Sequence, residues 1–284
     1  MGIEDKLEQL TKTVNLELGS ILGGVSSGMA RSMKYSVMSE GKRFRPLLLI
    51  ISGELFGCPR ERALPFACAL ELIHNYSLIH DDLPAMDDDD FRRGKPSCHK
   101  AFSEGTAVLA GDALLTLAFE TMTRALLKNF SGQEGLLERG LQVIEEISRA
   151  AGAGGMIEGQ YLDITAKDKR LAEKEYYRLI LKKTGALIVA AVRAGGWLGG
   201  ADQEDLRILT AYGRNVGLAF QIRDDILDSP RETRSGSNAV FLEGSVPAKK
   251  RLNGHVFSAN KELEKLSRDT HALQYMALKL LEVK

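Results

Sequence analysis

The sequence carries no surplus of charge: 38 Lys and Arg balance 38 Asp and Glu, for a formal net charge of zero. No field of one sign therefore draws the chain to nucleic acid or to an anionic membrane surface. It also lacks an apolar run approaching the ~18 residues that a membrane span needs, so no stable membrane anchor is expected. The opening stretch MGIEDKLEQL has no basic segment followed by an apolar one, the pattern of a secretory signal. Cysteine is scarce. Cys58, Cys68 and Cys98 fit neither a disulfide framework nor a metal-ligand spacing, which suits a reducing compartment and predicts a cytoplasmic protein. Period-2 alternation is nearly absent as well, which argues against a sheet.

What is present is helical periodicity. Ile3, Leu7, Leu10 and Val14 recur at helical spacing, and Pro46 is expected to open a helix through LLLIIS. Long helices are predicted from Leu64 to Ile79, Ala107 to Leu127, Leu136 to Ala151, Tyr176 to Leu198 and Asp205 to Ile226. The breaker-rich stretches GCPRER (57–62) and KNFSGQEG (128–135) separate some of them. Segments such as VLAGDALLTLAFE (108–120) and GALIVAAVRAGG (185–196) are apolar on most sides, as helices buried among others are. The expectation is an all-α, single-domain bundle of about ten or more helices spanning 1–284. Within it, 229–260 is an atypical polar loop segment and 261–284 a C-terminal helix. With 284 residues, such a chain buries about three quarters of its unfolded surface.

Chemistry concentrates in two acidic clusters. IHDDLPAMDDDDFRRGK (79–95) holds six aspartates between Asp81 and Asp90, followed at once by Arg92 and Arg93. Carboxylates this close repel one another unless cations intervene. Asp81 and Asp87 are about 240° apart on a regular helix. They converge only if the helix breaks between them, and Pro84 supplies the break. The second cluster, FQIRDDILD (220–228), sets Asp224 and Asp228 about 40° apart on one helical face, with Gln221 a turn earlier. A solvated acidic turn would account for one such run, and calcium is an alternative, but the EF-hand spacing is missing. Two clusters on apolar helices suit magnesium shared with phosphate oxygens, which Arg92 and Arg93 would also hold. GKRFRP (41–46) puts Lys42 and Arg45 at a helix start, a favourable place for an anion. His74 lies within about 20° of the Asp81 face. KKTGALI (182–188) places Lys183 and Thr184 in an otherwise apolar helix.

These motifs, together with LELIHNYSLIHDDLPAMDDDDFRRGKPSCHKAF (70–102), GTAVLAGDALLTLAFE (105–120) and GGMIEGQYLD (154–163), run in an order that resembles the trans-polyprenyl diphosphate synthases. The similarity is strongest to the short-chain bacterial branch that makes farnesyl diphosphate. Plant enzymes that make geranylgeranyl diphosphate, and a weakly active regulatory paralogue, are the alternatives. A terpene cyclase would share the metal logic but has no need of the GKRFRP anion site. The resemblance implies an isoprenoid-synthase bundle around a central cavity, acting as a homodimer, with three Mg²⁺ ions bound alongside an allylic diphosphate. It implies metal contacts from Asp81, Asp82, Asp87 and Asp224. It further implies allylic-diphosphate contacts from Arg92, Lys183 and Gln221, and isopentenyl diphosphate contacts from Lys42, Arg45, His74 and Arg93. Lys183 and Thr184 would face the developing allylic cation, Gln160 would face the site, and Tyr76 and Ser77 would set product length. One stretch departs from the family pattern. SPRETRSGSNAVFLEGSVPAKKRLNG, after the second cluster, lacks the expected Lys-containing loop and GK-T segment.

Overall fold

A computed structural model describes residues 2–130, 132–166, 171–228 and 238–282. The described residues form fourteen α-helices, one π-helical turn, one 3-10 turn and a two-residue hairpin, so the all-α expectation holds. The sequence reading put the whole chain in one domain. Its packing divides into two compact units, Met1–Ile50 with Pro59–Ile144, and Ile51–Cys58 with Glu145–Lys284. No helix among the described residues is long and apolar enough to cross a membrane.

In the first unit, α1 (Ile3–Gly23) turns Leu10, Val14, Leu18 and Leu22 into the core at four-residue spacing, all fully buried. Each such side chain contributes about 1.5–3 kcal/mol. Helices α2 (Ala30–Val37) and α3 (Phe44–Leu55) follow. Helix α4 (Arg60–Asp81) is buried on almost every side from Phe66 to Ile79. It packs along α6 (Glu104–Asn129), whose start is capped by Ser103 Oγ accepting from the Thr106 N–H. Between them lie the hairpin Phe91–Arg92/Lys95–Pro96 and the short α5 (Cys98–Ala101).

Helix α7 (Glu134–Ala151) begins among the residues of the first unit and ends among those of the second, in which α8 (Met156–Ala166) precedes α9 (Glu173–Ile180), the π turn Leu181–Gly185 and α10 (Ala186–Gly199). Helix α11 (Gln203–Asp228) packs against α10 and, further on, against α13 (Ser245–Leu263). The fully buried Tyr212 donates its hydroxyl to the Leu273 carbonyl at 2.7 Å, tying α11 to α14 (His271–Leu278). Contact between α11 and the π turn requires Gly217, because a Cβ there would sit 2.7 Å from the Gly185 Cα.

Five points of the sequence reading need correction. Helix α3 begins at Phe44, so Pro46 occupies its third position, where the missing N–H is still tolerated. The hairpin at 91–96 was not foreseen; strands of two residues leave no alternation to detect. The single helix expected over 176–198 carries the π turn at LKKTG, a local rewinding that hydrophobic periodicity does not register. The stretch assigned to an atypical loop is helical at α12 (Ala239–Glu243) and α13, while 229–237 lie outside the described residues. Gly244 and Gly254 disguised α13, yet Ala248, Leu252, Val256, Ala259 and Leu263 form one buried stripe. The helix expected at 261–284 is correspondingly split: α13 ends at Leu263, and α14 starts at His271.

Two glycine substitutions should act in opposite directions. Gly217→Ala overpacks the Gly185 backbone and should cost about 1–3 kcal/mol. Gly254→Ala, with nothing within 4 Å of the added methyl, should stabilise by roughly 0.5–1 kcal/mol. Urea unfolding of both variants measures the contrast.

Candidate active site

The first unit gathers charge around the C-terminal end of α4. That helix stops at Asp81, and the Pro84 turn folds the chain back so that the Asp87 N–H bonds the Asp81 carbonyl at 2.9 Å. The predicted break is present, and it brings Asp81 and Asp87, both half-buried, onto one turn. Their hard oxygen donors at a helix C-terminus suit a magnesium ion. Asp82 is placed differently. It is 2 % exposed and engaged by Arg92, through Nε at 2.8 Å and through Nη2. Burial raises its pKa, and the Arg92 hydrogen bond opposes that rise. The expectation of Asp82 as a metal ligand thus meets a carboxylate already committed to an ion pair.

The basic residues divide by burial. Lys42 is exposed, whereas Arg45 is buried with its Nη1 3.3 Å from His74 Nε2. An arginine N–H can only donate, so Nε2 accepts and the ring is neutral. Desolvation, followed by the charges of Arg45, Arg93, Arg43 and Arg92, holds the His74 pKa well below its usual value. Arg45 and Arg93 near one neutral imidazole describe a place for an anion, and the charges of Arg43 and Arg92 add to the field there. Arg93, in a left-handed conformation (φ 54°), bonds Ser39 Oγ at 3.3 Å and lies over Gly41, where a Cβ would come within 2.9 Å of its Nη1.

Arg43 was missed by sequence reasoning, which took only its neighbours Lys42 and Arg45. It also has positive φ (47°) and is paired with Glu71 at 2.8 Å, both side chains 2 % exposed. It further donates to Asn15 Oδ1 and to the Val37 and Ser39 carbonyls. The guanidinium thereby fixes the loop that presents Lys42 and Arg45. On α4, Tyr76 is buried, its hydroxyl has no hydrogen-bond partner, and its ring meets His80 edge-on at 5.7 Å. Burial, with Asp81 nearby, pushes its pKa up to about 12. Ser77 donates to the His74 carbonyl at 2.9 Å.

The second unit holds the other motif. Lys183 and Thr184 lie in the π turn. Lys183 Nζ meets Asp163 Oδ2 at 2.5 Å, a partner within GGMIEGQYLD that the sequence did not single out. Thr184 donates to Gln221 Oε1 at 2.6 Å, and Gln221 donates to Asp225 Oδ1 at 2.9 Å. Asp225 also accepts from the Tyr176 hydroxyl at 2.6 Å and the Ala239 N–H at 2.7 Å. Its burial raises its pKa against the pull of these three donors. Asp224 is more open, with Arg223 Nη1 3.3 Å from its Oδ1, while Asp228 is exposed at the end of α11. Gln160 is buried on α8, and neither its amide nitrogen nor its oxygen has a partner.

The family model described as Polyprenyl synthetase matches residues 27–237. The chain belongs to that family. It is 40 % identical to the farnesyl diphosphate synthase of Geobacillus stearothermophilus, covering 97 % of this chain and 96 % of that protein. It is 38 % identical to the farnesyl diphosphate synthase of Escherichia coli (strain K12), over 98 % and 97 % of the two chains. Its structure resembles an FPP/GFPP synthase from Zymomonas mobilis with a TM-score of 0.88 at 34 % identity, covering 98 % of both chains.

Arg43→Ala would strand the Glu71 carboxylate in the core and should cost about 3–5 kcal/mol. Arg43→Met combined with Glu71→Leu should recover most of that loss, since the buried charge goes too. Equal loss in both variants, by chemical denaturation, would show that the loop contacts of Arg43 matter more than its pair.

Proposed function

We propose that this chain condenses isopentenyl diphosphate with dimethylallyl or geranyl diphosphate to give farnesyl diphosphate. It is a short-chain trans-prenyltransferase. The observation that carries this reading is the buried Arg45 beside a neutral His74, with the charge of Arg93 close by, next to the first aspartate motif. The relatives named above support the product. The donor set fits magnesium, so Asp81 and Asp87, with Asp224, would hold the metal, three ions in this reading. When bound, it neutralises charge on the departing diphosphate.

The chain's own residues do the rest. Lys42, Arg45, His74 and Arg93 bind the isopentenyl diphosphate. Arg92, Lys183 and Gln221 hold the allylic diphosphate and stabilise it as a leaving group. The C–O bond breaks with its electron pair leaving on diphosphate, the isopentenyl alkene attacks the allylic carbon, and a proton passes to the released diphosphate. Thr184 donates its only proton to Gln221, so its oxygen offers lone pairs, the polarity that a developing cation favours. The charge of Lys183 is offset by Asp163. Gln160, with both polar atoms unpartnered, is equipped to meet substrate or its ordered water. Asp82 supports the motif through Arg92. No protein nucleophile is required.

Assembly as a homodimer follows from the same reading. Val108 and Leu109 on α6 are 40 % and 57 % exposed, adjacent apolar side chains that a second copy would cover. The reading also places the enzyme in the cytoplasm, in keeping with three buried cysteines, none in a disulfide.

Incubation with radiolabelled isopentenyl diphosphate and each allylic primer, with and without Mg²⁺, tests the activity. Asp81→Asn and Asp224→Asn should each lower turnover more than tenfold, above ~1.4 kcal/mol of transition-state stabilisation. A variant retaining more than a tenth of the rate would remove that residue from the metal set. Tyr76→Ala should open the floor beside α4 and lengthen the product to twenty carbons or more. An unchanged product on chromatography after dephosphorylation would place the floor elsewhere. Light scattering should give twice the 31.1 kDa chain mass, and a monomer at micromolar concentration would refute the dimer.

A further inference from the structure

Asp88, Asp90 and His99 belong to none of the sets assigned above, yet each offers one ligand atom, and these atoms all lie within 4.8 Å of one another. The carboxylates are exposed, and an exposed acidic pair alone would mean nothing. His99 makes the difference. It is only 7 % exposed, its Nδ1 lies 3.0 Å from Ser97 Oγ, and its Nε2 is sealed from solvent without a hydrogen-bond partner. With Ser97 Oγ accepting from Nδ1–H, the ring is oriented and Nε2 carries the lone pair, the arrangement found behind metal-binding histidines.

The backbone holds the three residues together. Asp88 is left-handed (φ 54°), and its N–H bonds the Leu83 carbonyl at 3.1 Å. The Asp90 carbonyl accepts from the Ser97 N–H at 2.9 Å, closing the hairpin at its base. His99 then follows on α5, two residues past Ser97. The ring also lies within electrostatic reach of both Asp82 and Asp90. Lys100 Nζ presently lies 2.8 Å from Asp90 Oδ1. That pair is solvent-exposed and weak enough for a divalent cation to displace it.

We propose that Asp88, Asp90 and His99 form a second cation site, which takes zinc in preference to magnesium and pins the 91–96 hairpin to α5. One imidazole nitrogen with two carboxylates suits a borderline first-row ion, whereas magnesium favours an all-oxygen shell. The site has its own ligands, separate from the carboxylates proposed for the diphosphate-bound magnesium.

Titration calorimetry of the full-length protein with ZnCl₂, in excess Mg²⁺ and without diphosphate, should show one saturable equivalent. Cobalt(II) serves as the optical probe. His99→Gln, Asp88→Asn and Asp90→Asn should each weaken binding at least about tenfold, a loss that even an outer-shell change can produce. The two aspartate variants alter exposed side chains, so their folding is not at stake. Zinc affinity should be unchanged in Asp81→Asn and Asp224→Asn. Zinc should also raise the melting temperature of the wild type by more than that of Asp90→Asn at the same zinc concentration. Absence of saturable zinc binding would overturn the proposal, as would affinity equal in wild type and the three variants. So would a cobalt–thiolate absorption band, which would assign the ion to Cys98.

Discussion

Neighbouring residues on a helix point about 100° apart, so two consecutive aspartates cannot both face one site. The rest of the charged architecture depends on that constraint. In each DD pair the first carboxylate stays accessible and the second turns inward, where burial penalises its charge. Asp82 resolves this with Arg92, and Asp225 with Tyr176, Gln221 and the Ala239 N–H. The inward aspartates are thus the means by which Asp81 and Asp224 are held. Arg92 is committed to Asp82 while its charge still acts on His74, so the acidic and basic halves of the first motif are set by one pair.

Crowding of like charge on the basic side is managed by a second buried pair. Arg43 and Glu71 are both 2 % exposed, and Asn75 adds a hydrogen bond to Glu71 Oε1 at 3.2 Å. A buried pair contributes little net stability but is costly to break on one side, so it specifies conformation more than it strengthens it. Here the conformation is the positive φ of Arg43, which turns the loop before α3. Lys42 and Arg45 thus flank an arginine whose own guanidinium is given over to the backbone.

The sequence made legible whatever repeats or breaks a repeat. The long helices followed from apolar spacing, and the return of Asp87 onto Asp81 followed from Pro84. What stayed hidden depends on partners distant in sequence. Asp82 and Asp81 are chemically identical in a string of letters, and only Arg92, ten residues on, distinguishes them. Arg43 sat between two residues chosen as ligands, and nothing local says that Glu71 claims it. The π turn at LKKTG shifts Lys183 and Thr184 by a fraction of a helical turn, beneath the resolution of a hydrophobic pattern. Asp163 lay within a quoted motif but showed its role only through Lys183. Helix α13 went unread because its stripe of small and medium residues is interrupted by glycines and lysines on its outer face.

That last element bears on the departure from the family pattern after the second motif. Asp225 accepts the Ala239 N–H, and its own carbonyl accepts from Asn238 Nδ2 at 3.3 Å. The chain therefore returns, after 229–237, to the same aspartate that fixes Gln221 and Thr184. Asn238 also caps α12 by accepting from the Val240 N–H, so the point of return is pinned from both directions. Beyond it, α13 lays its buried stripe along α11. The geometry of α11 is thus set by Asp225, Tyr176 and α13, none of which uses the missing GK-T segment. The scaffold that orients Gln221 beside Asp224 is therefore built without the segment that the family resemblance leads one to expect.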